Sequence, residues 1–143
     1  MTKNTVSIIV VTYNRIEYLK SFIEFLYLST EYPFELIVVD NGSTDGSREF
    51  IAREELVSKC VFNKKNLPLA AAFTEGFIVS EGEYIVTVAD DMIPPLFKKP
   101  DWLEVFVAKM NSDENIGCIN FVGARRNFNE FNRKERQKIY DKR

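Results

Sequence analysis

The chain alternates short β-branched runs with segments of helical periodicity, and this alternation limits its possible folds more than any other feature. Ser7–Thr12 is an almost unbroken apolar, β-branched run, which is typical of a strand buried on both faces. Between Leu19 and Leu26, apolar residues recur at intervals of three and four, the spacing of an amphipathic helix. The start of the chain therefore predicts a strand followed by a helix.

The same alternation continues to residue 122. Further strands are predicted at Phe34–Val39, Cys60–Phe62, Tyr84–Val88 and Ile116–Val122. Further helices are predicted from about Ser47 to Val57 behind the N-cap Asp45, from Pro68 with Leu69, Ala72, Phe73 and Phe77 on one face, and around Leu103–Met110. Because strands and helices alternate, we expect a mostly parallel central sheet between two layers of helices, a three-layer α/β sandwich.

Charge divides the chain into a body and a tail. The 143 residues include 19 basic and 21 acidic side chains, a net charge of −2 that argues against a nucleic-acid partner. Residues 125–143 alone contain 8 basic and 3 acidic residues. We predict one domain over 1–124 and a basic tail over 125–143, where a helix near Glu130–Tyr140 would have poor apolar spacing.

Composition also limits the chemistry. Histidine is absent, so catalysis would depend on carboxylates, hydroxyls, lysine or a metal held by oxygen ligands. Cys60 and Cys118 each lie in an apolar stretch, which predicts small buried side chains rather than a disulfide. No apolar run approaches the ~20 residues of a membrane span, so we expect a cytoplasmic protein, with the basic tail as a conceivable peripheral membrane contact.

Polar side chains follow the predicted strands at their carboxyl ends, where open parallel sheets bind ligands. Asp90 and Asp91 offer the hard oxygen ligands that suit Mg²⁺ or Mn²⁺ shared with phosphate oxygens, although such a pair also caps helical turns. Asp40 begins an Asp-Asn-Gly-Ser segment that is equally turn chemistry, and Tyr13 could be a partly buried edge aromatic. Neither glycine-rich dinucleotide nor P-loop motifs occur.

Taken together, four segments resemble the family 2 glycosyltransferases in content and order. They are Val6–Arg15, Leu36–Ser47, Asn66–Gly76 and Gly82–Pro94, which ends in a motif similar to that family's D-x-D region. The resemblance implies a Rossmann-like nucleotide-diphospho-sugar transferase fold, called GT-A, here truncated to its nucleotide-sugar-binding part.

The same resemblance implies roles for individual residues. Thr12 and Tyr13 would lie beside the nucleotide base, and Asp40 would accept a hydrogen bond from it, typically from the imide N–H of uracil. Asp90 would lie near the ribose or diphosphate, and Asp91 would bind the divalent metal, Mn²⁺ or Mg²⁺. Asn14 and Asn66 complete the expected nucleotide-binding set.

The implied function is metal-dependent transfer of a sugar from a nucleoside diphosphate, with UDP expected, to a hydroxyl of a glycan, lipid or protein acceptor. Inversion is expected, but no residue is identified as the catalytic base. The alternative is a nucleotide-sugar-binding module that needs a partner protein or a missing C-terminal half for transfer. A phosphoacceptor receiver domain with Asp40 as acceptor is disfavoured, because Tyr13 and Asn14 stand where an acidic cluster is required.

Several positions depart from the family pattern. Ala89 replaces the first carboxylate of the D-x-D region, which leaves fewer ligands for a metal. Pro68, Phe73 and Thr74 replace a frequent Gly, Arg and Asn, so contacts to phosphate and sugar are expected to differ. Lys64 or Lys65 would be the source of the missing positive charge if they are not simply solvated.

Overall fold

The central sheet contains four parallel strands in a computed structural model that describes residues 6–94 and 99–120. The strands are β1 (Val6–Thr12), β2 (Phe34–Asp40), β3 (Lys59–Phe62) and β4 (Tyr84–Ala89). The helices are α1 (Ile16–Ser29), α2 (Ser47–Ile51), α3 (Leu69–Val79) and α4 (Trp102–Asn111). The order across the sheet is β3-β2-β1-β4, so β1 is an inner strand and the chain reverses direction of travel across the sheet after β3.

Helices cover both faces of the sheet, which confirms the three-layer α/β architecture. On one face, Ile8 and Val10 of β1 pack with apolar residues of α1 and α4, including Phe22 and Trp102. On the other face, Ile9 and its neighbours pack against α3. The continuous burial of β1 therefore follows from layers of helices on both sides.

Helix α3 contacts the sheet through only part of the predicted apolar face. Ala72 and Gly76 are buried, whereas Leu69 and Phe77 are 59% and 58% exposed. A Cβ added at Gly76 would overlap Cγ2 of Ile9. The prediction is confirmed for Ala72 and for Phe73, which packs partly buried against the same cluster. It is wrong for Leu69 and Phe77, because the helix approaches the sheet most closely at Gly76.

The second helix is shorter than predicted and begins differently. It ends at Ile51 and not near Val57, and its N-cap is Gly46 in a left-handed conformation with φ 93°. Asp45 still caps, one position earlier than a standard N-cap. Its carboxylate accepts hydrogen bonds from the backbone and hydroxyl of Ser47, and also from the backbone N–H of Ile16 at the start of α1.

The end of the described chain also departs from the prediction. Residues 116–120 form no strand, so the predicted strand Ile116–Val122 is wrong over that stretch, and residues 121 and 122 lie outside the described residues. The boundary at 124 and the tail from 125 to 143, with its suggested helix, lie outside them too. Cys60 and Cys118 are free and exposed rather than buried, since Cys60 lies on the short edge strand β3 and Cys118 in the irregular segment.

A polar network closes the amino end of the sheet. Glu35 on β2 accepts hydrogen bonds from the Ser7 hydroxyl and the Glu81 backbone, and its carboxylate lies 3.1 Å from Nζ of Lys59. Burial acts to raise the pKa of Glu35, but these bonds and the lysine charge outweigh it, so the pKa lies below its ordinary value of 4.5.

None of the helices in the described part of the chain combines the length and hydropathy that a bilayer crossing requires.

Candidate functional site

The carboxyl ends of three neighbouring strands bring the predicted site residues together. In the register of the sheet, Thr12 on β1 lies opposite Asp40 on β2, and Val11 lies opposite Ala89 on β4. Asp90 therefore follows β4 directly beside Thr12. Since adjacent strands lie about 4.8 Å apart, these side chains share one small edge of the sheet.

Asp90 is a buried carboxylate with a partner for each oxygen. The Thr12 hydroxyl donates to Oδ2 at 2.8 Å, and Nη1 of Arg15 donates to Oδ1 at 2.9 Å. Burial raises the pKa of Asp90 above its ordinary 3.8, although the Thr12 hydrogen bond and the Arg15 charge act against that rise. The nearby carboxylate of Asp91 also raises the pKa of Asp90. Asp90 is thus fixed in place and offers little of its surface to a ligand.

Asp91 is the more accessible carboxylate of the pair. Its side chain is 26% exposed, and Oδ2 lies 3.6 Å from Nη1 of Arg15. In residues 6–94 and 99–120, no three Asp, Glu, His or Cys side chains converge closely enough to hold a metal ion. The donor set fits a divalent ion of the Mg²⁺ or Mn²⁺ type only as one carboxylate completed by ligand oxygens, which is how such ions are commonly held beside phosphates.

Asp40 is fully buried and is held by the loop that follows it. Its carboxylate accepts from the backbone N–H groups of Gly42 and Ser43 at 3.2–3.3 Å. Nη1 of Arg48, on the first turn of α2, lies 3.4 Å from Oδ2. The same arginine donates to the Asn63 carbonyl and lies over the ring of Phe62. Asp40 therefore combines the turn chemistry with a compensated negative charge.

Tyr13 and Asn14 have different positions although they are neighbours in sequence. Tyr13 is exposed at the end of β1, where an aromatic ring can flank a planar ligand. Asn14 has a positive φ of 51°, and its backbone N–H donates to the Ser43 hydroxyl while its side chain accepts from the Thr44 backbone. Asn14 thus ties the end of β1 to the loop beside Asp40.

Asn66 is attached to the site through Asn41. The Asn41 amide donates to Oδ1 of Asn66 and to the carbonyl of Leu67, and its oxygen accepts from the Asn63 side chain and the Leu67 backbone. Gly42 allows this loop to come close, because a Cβ there would lie 2.8 Å from the carbonyl carbon of Lys65.

The loop places two lysines at the surface near this edge of the sheet. Lys64 and Lys65 are consecutive residues of this loop, and both side chains are exposed. Both lysines can contact a ligand from solvent. The positive charges that pair with the site carboxylates are those of Arg15 and Arg48.

Sequence reasoning missed these two arginines and Asn41. Arg15 ends the first resembling segment and directly precedes α1, and Arg48 lies one residue beyond the second. The available signal was a basic residue directly before, or within the first turn of, the helix that follows each strand, because those helices start beside the neighbouring strand ends. The individual roles of the predicted site residues toward a ligand stay predictions.

Comparison with known proteins identifies the family. Residues 7–143 match the sequence profile of Glycosyl transferase family 2. The chain belongs to this family. Two similar relatives are an uncharacterized glycosyltransferase from Nostoc, 34% identical over 122 residues, and the cholesterol galactosyltransferase of Borreliella burgdorferi, 33% identical over 125 residues. The matches cover 82% and 83% of this chain but 36% and 33% of those relatives, so the family 2 chain spans about a third of their length.

Solved structures agree with this membership at the level of the fold. The mannosyltransferase of Pyrobaculum calidifontis, in complex with GDP-Man and Mn²⁺, superposes with a TM-score of 0.57 at 26% identity, covering 66% of this chain and 30% of that one. Staphylococcus aureus TarS, residues 1–349 in complex with UDP-GlcNAc, gives a TM-score of 0.63 at 22% identity, covering 77% of this chain and 32% of that one. The family 2 domain therefore has the GT-A fold.

Proposed function

We propose that this family 2 domain binds a nucleoside diphosphate sugar at the carboxyl ends of β2, β1 and β4, as the first part of a sugar-transfer reaction. The observation that carries the proposal is the alignment of Asp40, Thr12 and Asp90 at adjacent strand ends, in a chain of glycosyl transferase family 2.

Asp40 supports the choice of base. Two backbone N–H groups and the Arg48 guanidinium surround its carboxylate, whose oxygens are hydrogen-bond acceptors. The imide N–H of uracil is a donor, so we propose UDP as the nucleotide. Because Asp40 is fully buried, a direct bond to a base requires a local movement of the loops beside Tyr13 and Ser43.

Asp91 supports a metal-dependent donor site. It would hold a Mn²⁺ or Mg²⁺ ion together with the diphosphate oxygens, and Asp90 would keep its present partners. Such an ion, when bound, stabilises the negative charge of a departing nucleoside diphosphate. Arg15 adds a fixed positive charge at the same edge, where it can also meet phosphate oxygens.

The acceptor half of the reaction needs a base that we do not assign. Asp90 is unsuitable because it is buried between Thr12 and Arg15. Since this chain spans about a third of its relatives, we propose that transfer to an acceptor hydroxyl, with inversion, uses groups supplied outside the described residues. The short span of the chain relative to these relatives also supports an alternative, a nucleotide-sugar-binding module without transfer activity of its own.

Titration calorimetry with UDP and GDP, with and without Mn²⁺, tests the donor site. We expect UDP to bind more tightly than GDP, and Mn²⁺ to tighten UDP binding. Asp91→Ala should remove the Mn²⁺ effect more completely than Asp90→Ala, whereas Asp113→Ala, which alters an exposed carboxylate beyond α4, should leave it unchanged. UDP binding that is indifferent to Mn²⁺ and to Asp91 would refute the metal-dependent site.

One further measurement distinguishes a transferase from a binding module. A transferase should move the sugar from a UDP-sugar to an added acceptor, and a binding module should bind the same donor without transferring the sugar to the acceptor or releasing UDP. Four other expectations stay predictions. They are the acceptor, the cytoplasmic location, the peripheral contact of the basic tail and the absence of a nucleic-acid partner.

A further inference from the structure

Arg15 lies between the two carboxylates at the end of β4. Its Nη1 is 2.9 Å from Oδ1 of Asp90 and 3.6 Å from Oδ2 of Asp91, and its guanidinium lies 4.6 Å from the centre of the Tyr18 ring. The residue directly precedes α1, and its side chain is 42% exposed. One cation from a distant part of the sequence thus contacts both acidic residues.

This arrangement changes the local charge that an incoming ion would meet. Two ionised carboxylates and one guanidinium leave a net charge of about −1 instead of −2. Ala89 adds no carboxylate. A divalent ion that reaches Asp91 from water therefore also meets a positive charge a few ångströms away, and like charges at that distance repel appreciably even at high dielectric.

We propose that Arg15 is a positioning residue that offsets part of the negative charge of the Asp90–Asp91 pair and so makes binding of the divalent ion at Asp91 depend on the nucleotide diphosphate. This inference rests on the donor site proposed above. The free chain holds the ion weakly, because a guanidinium is already paired with the carboxylates. A diphosphate brings both negative charge and oxygen ligands, which offset the repulsion and complete the coordination shell.

The test measures Mn²⁺ alone, through the electron paramagnetic resonance signal of the unbound ion, in solutions of the full chain without nucleotide. Arg15→Gln should bind Mn²⁺ roughly tenfold more tightly than the wild type, and Arg15→Lys should resemble the wild type because it keeps the charge. Lys20→Gln is the matched control, because Lys20 is on α1 and pairs with Glu17. It should leave Mn²⁺ affinity unchanged.

A second pair of variants keeps the test valid if Arg15→Gln does not fold with Asp90 unpaired. Asp90→Asn removes the buried charge while an amide can still pair with the Thr12 hydroxyl. Adding Arg15→Gln to Asp90→Asn should again tighten Mn²⁺ binding roughly tenfold at Asp91. Equal Mn²⁺ affinities within both pairs, or an equal gain in Lys20→Gln, would overturn the role of Arg15.

Adding UDP separates this inference from the function on which it rests. In the wild type, UDP should increase Mn²⁺ affinity by a larger factor than in Arg15→Gln, because the variant has already lost the repulsion. An equal factor in both proteins would overturn the inference. If UDP binds to neither protein at any Mn²⁺ concentration, the proposed donor site fails, while the nucleotide-free comparison still decides whether Arg15 limits ion binding.

Discussion

Asn41 holds the loop of residues 63–67 against the end of β2, so its truncation should loosen that loop and destabilise the chain. The side chain is buried and takes part in four hydrogen bonds, two of them with the backbone of Leu67. One such bond contributes about 0.5–1.5 kcal/mol net to stability. Because the loop regains some bonds with water, we expect Asn41→Ala to lower the free energy of unfolding by about 2–4 kcal/mol.

Asn63→Ala is the matched variant, since it removes one of the same four bonds and should cost about 1 kcal/mol. Urea denaturation followed by circular dichroism gives both free energies. Trypsin cleavage after Lys64 and Lys65 reports the loop itself, and it should be faster in Asn41→Ala than in Asn63→Ala or the wild type.

The two readouts together can refute the reasoning. If Asn41→Ala costs no more than Asn63→Ala, and trypsin cuts the loop at the wild-type rate, then Asn41 does not hold the loop. The placement of Asn66 at the site would then depend on other contacts.

Three further outcomes follow from the packing and charge of the fold. Gly76→Ala should lower the free energy of unfolding in urea by about 1–3 kcal/mol, because overlap with Ile9 exceeds the helix-propensity gain of about 1 kcal/mol; unchanged or increased stability would contradict that packing. The lowered pKa of Glu35 stabilises the folded chain above pH 4.5, and this contribution is lost as pH falls through the folded pKa. The urea midpoints of wild type and Glu35→Gln should therefore converge from pH 6 to pH 3, and a constant gap would be the opposite result. Cys60 and Cys118 should both react with a thiol reagent without denaturant, and protection of either would contradict their exposure.

The strands and their parallel arrangement could be predicted because their signals are local. A continuous β-branched run such as Ser7–Thr12 needs no knowledge of its neighbours to indicate a strand buried on both faces. The placement of Asp40 and Asp90 at one edge follows from the rule that parallel strands end on the same side. Within residues 6–94 and 99–120, four of the five predicted strands are present, and residues 116–120 of the fifth form no strand.

What could not be predicted depends on contacts between distant residues. The ion pair of Arg15 with Asp90 joins positions 75 residues apart, so a basic residue at the start of α1 does not by itself indicate which carboxylate it contacts. The buried face of α3 was predicted only in part, because hydrophobicity favoured Leu69 and Phe77 while the close approach to β1 required Gly76.

The strand order also determines when the site can form during folding. The two neighbours of β1 come from very different distances in the chain, because Val6 is paired with both Phe34 and Tyr84. Pairing with β2 closes a short loop, whereas pairing with β4 must close a much longer one, and Thr12 meets Asp90 across 78 residues. Contacts between such distant positions slow folding. During synthesis, β1 and β2 leave the ribosome before β4, so Tyr13 and Asp40 can be placed before Asp90 is available. The Thr12–Asp90 hydrogen bond therefore forms only when the sheet is complete.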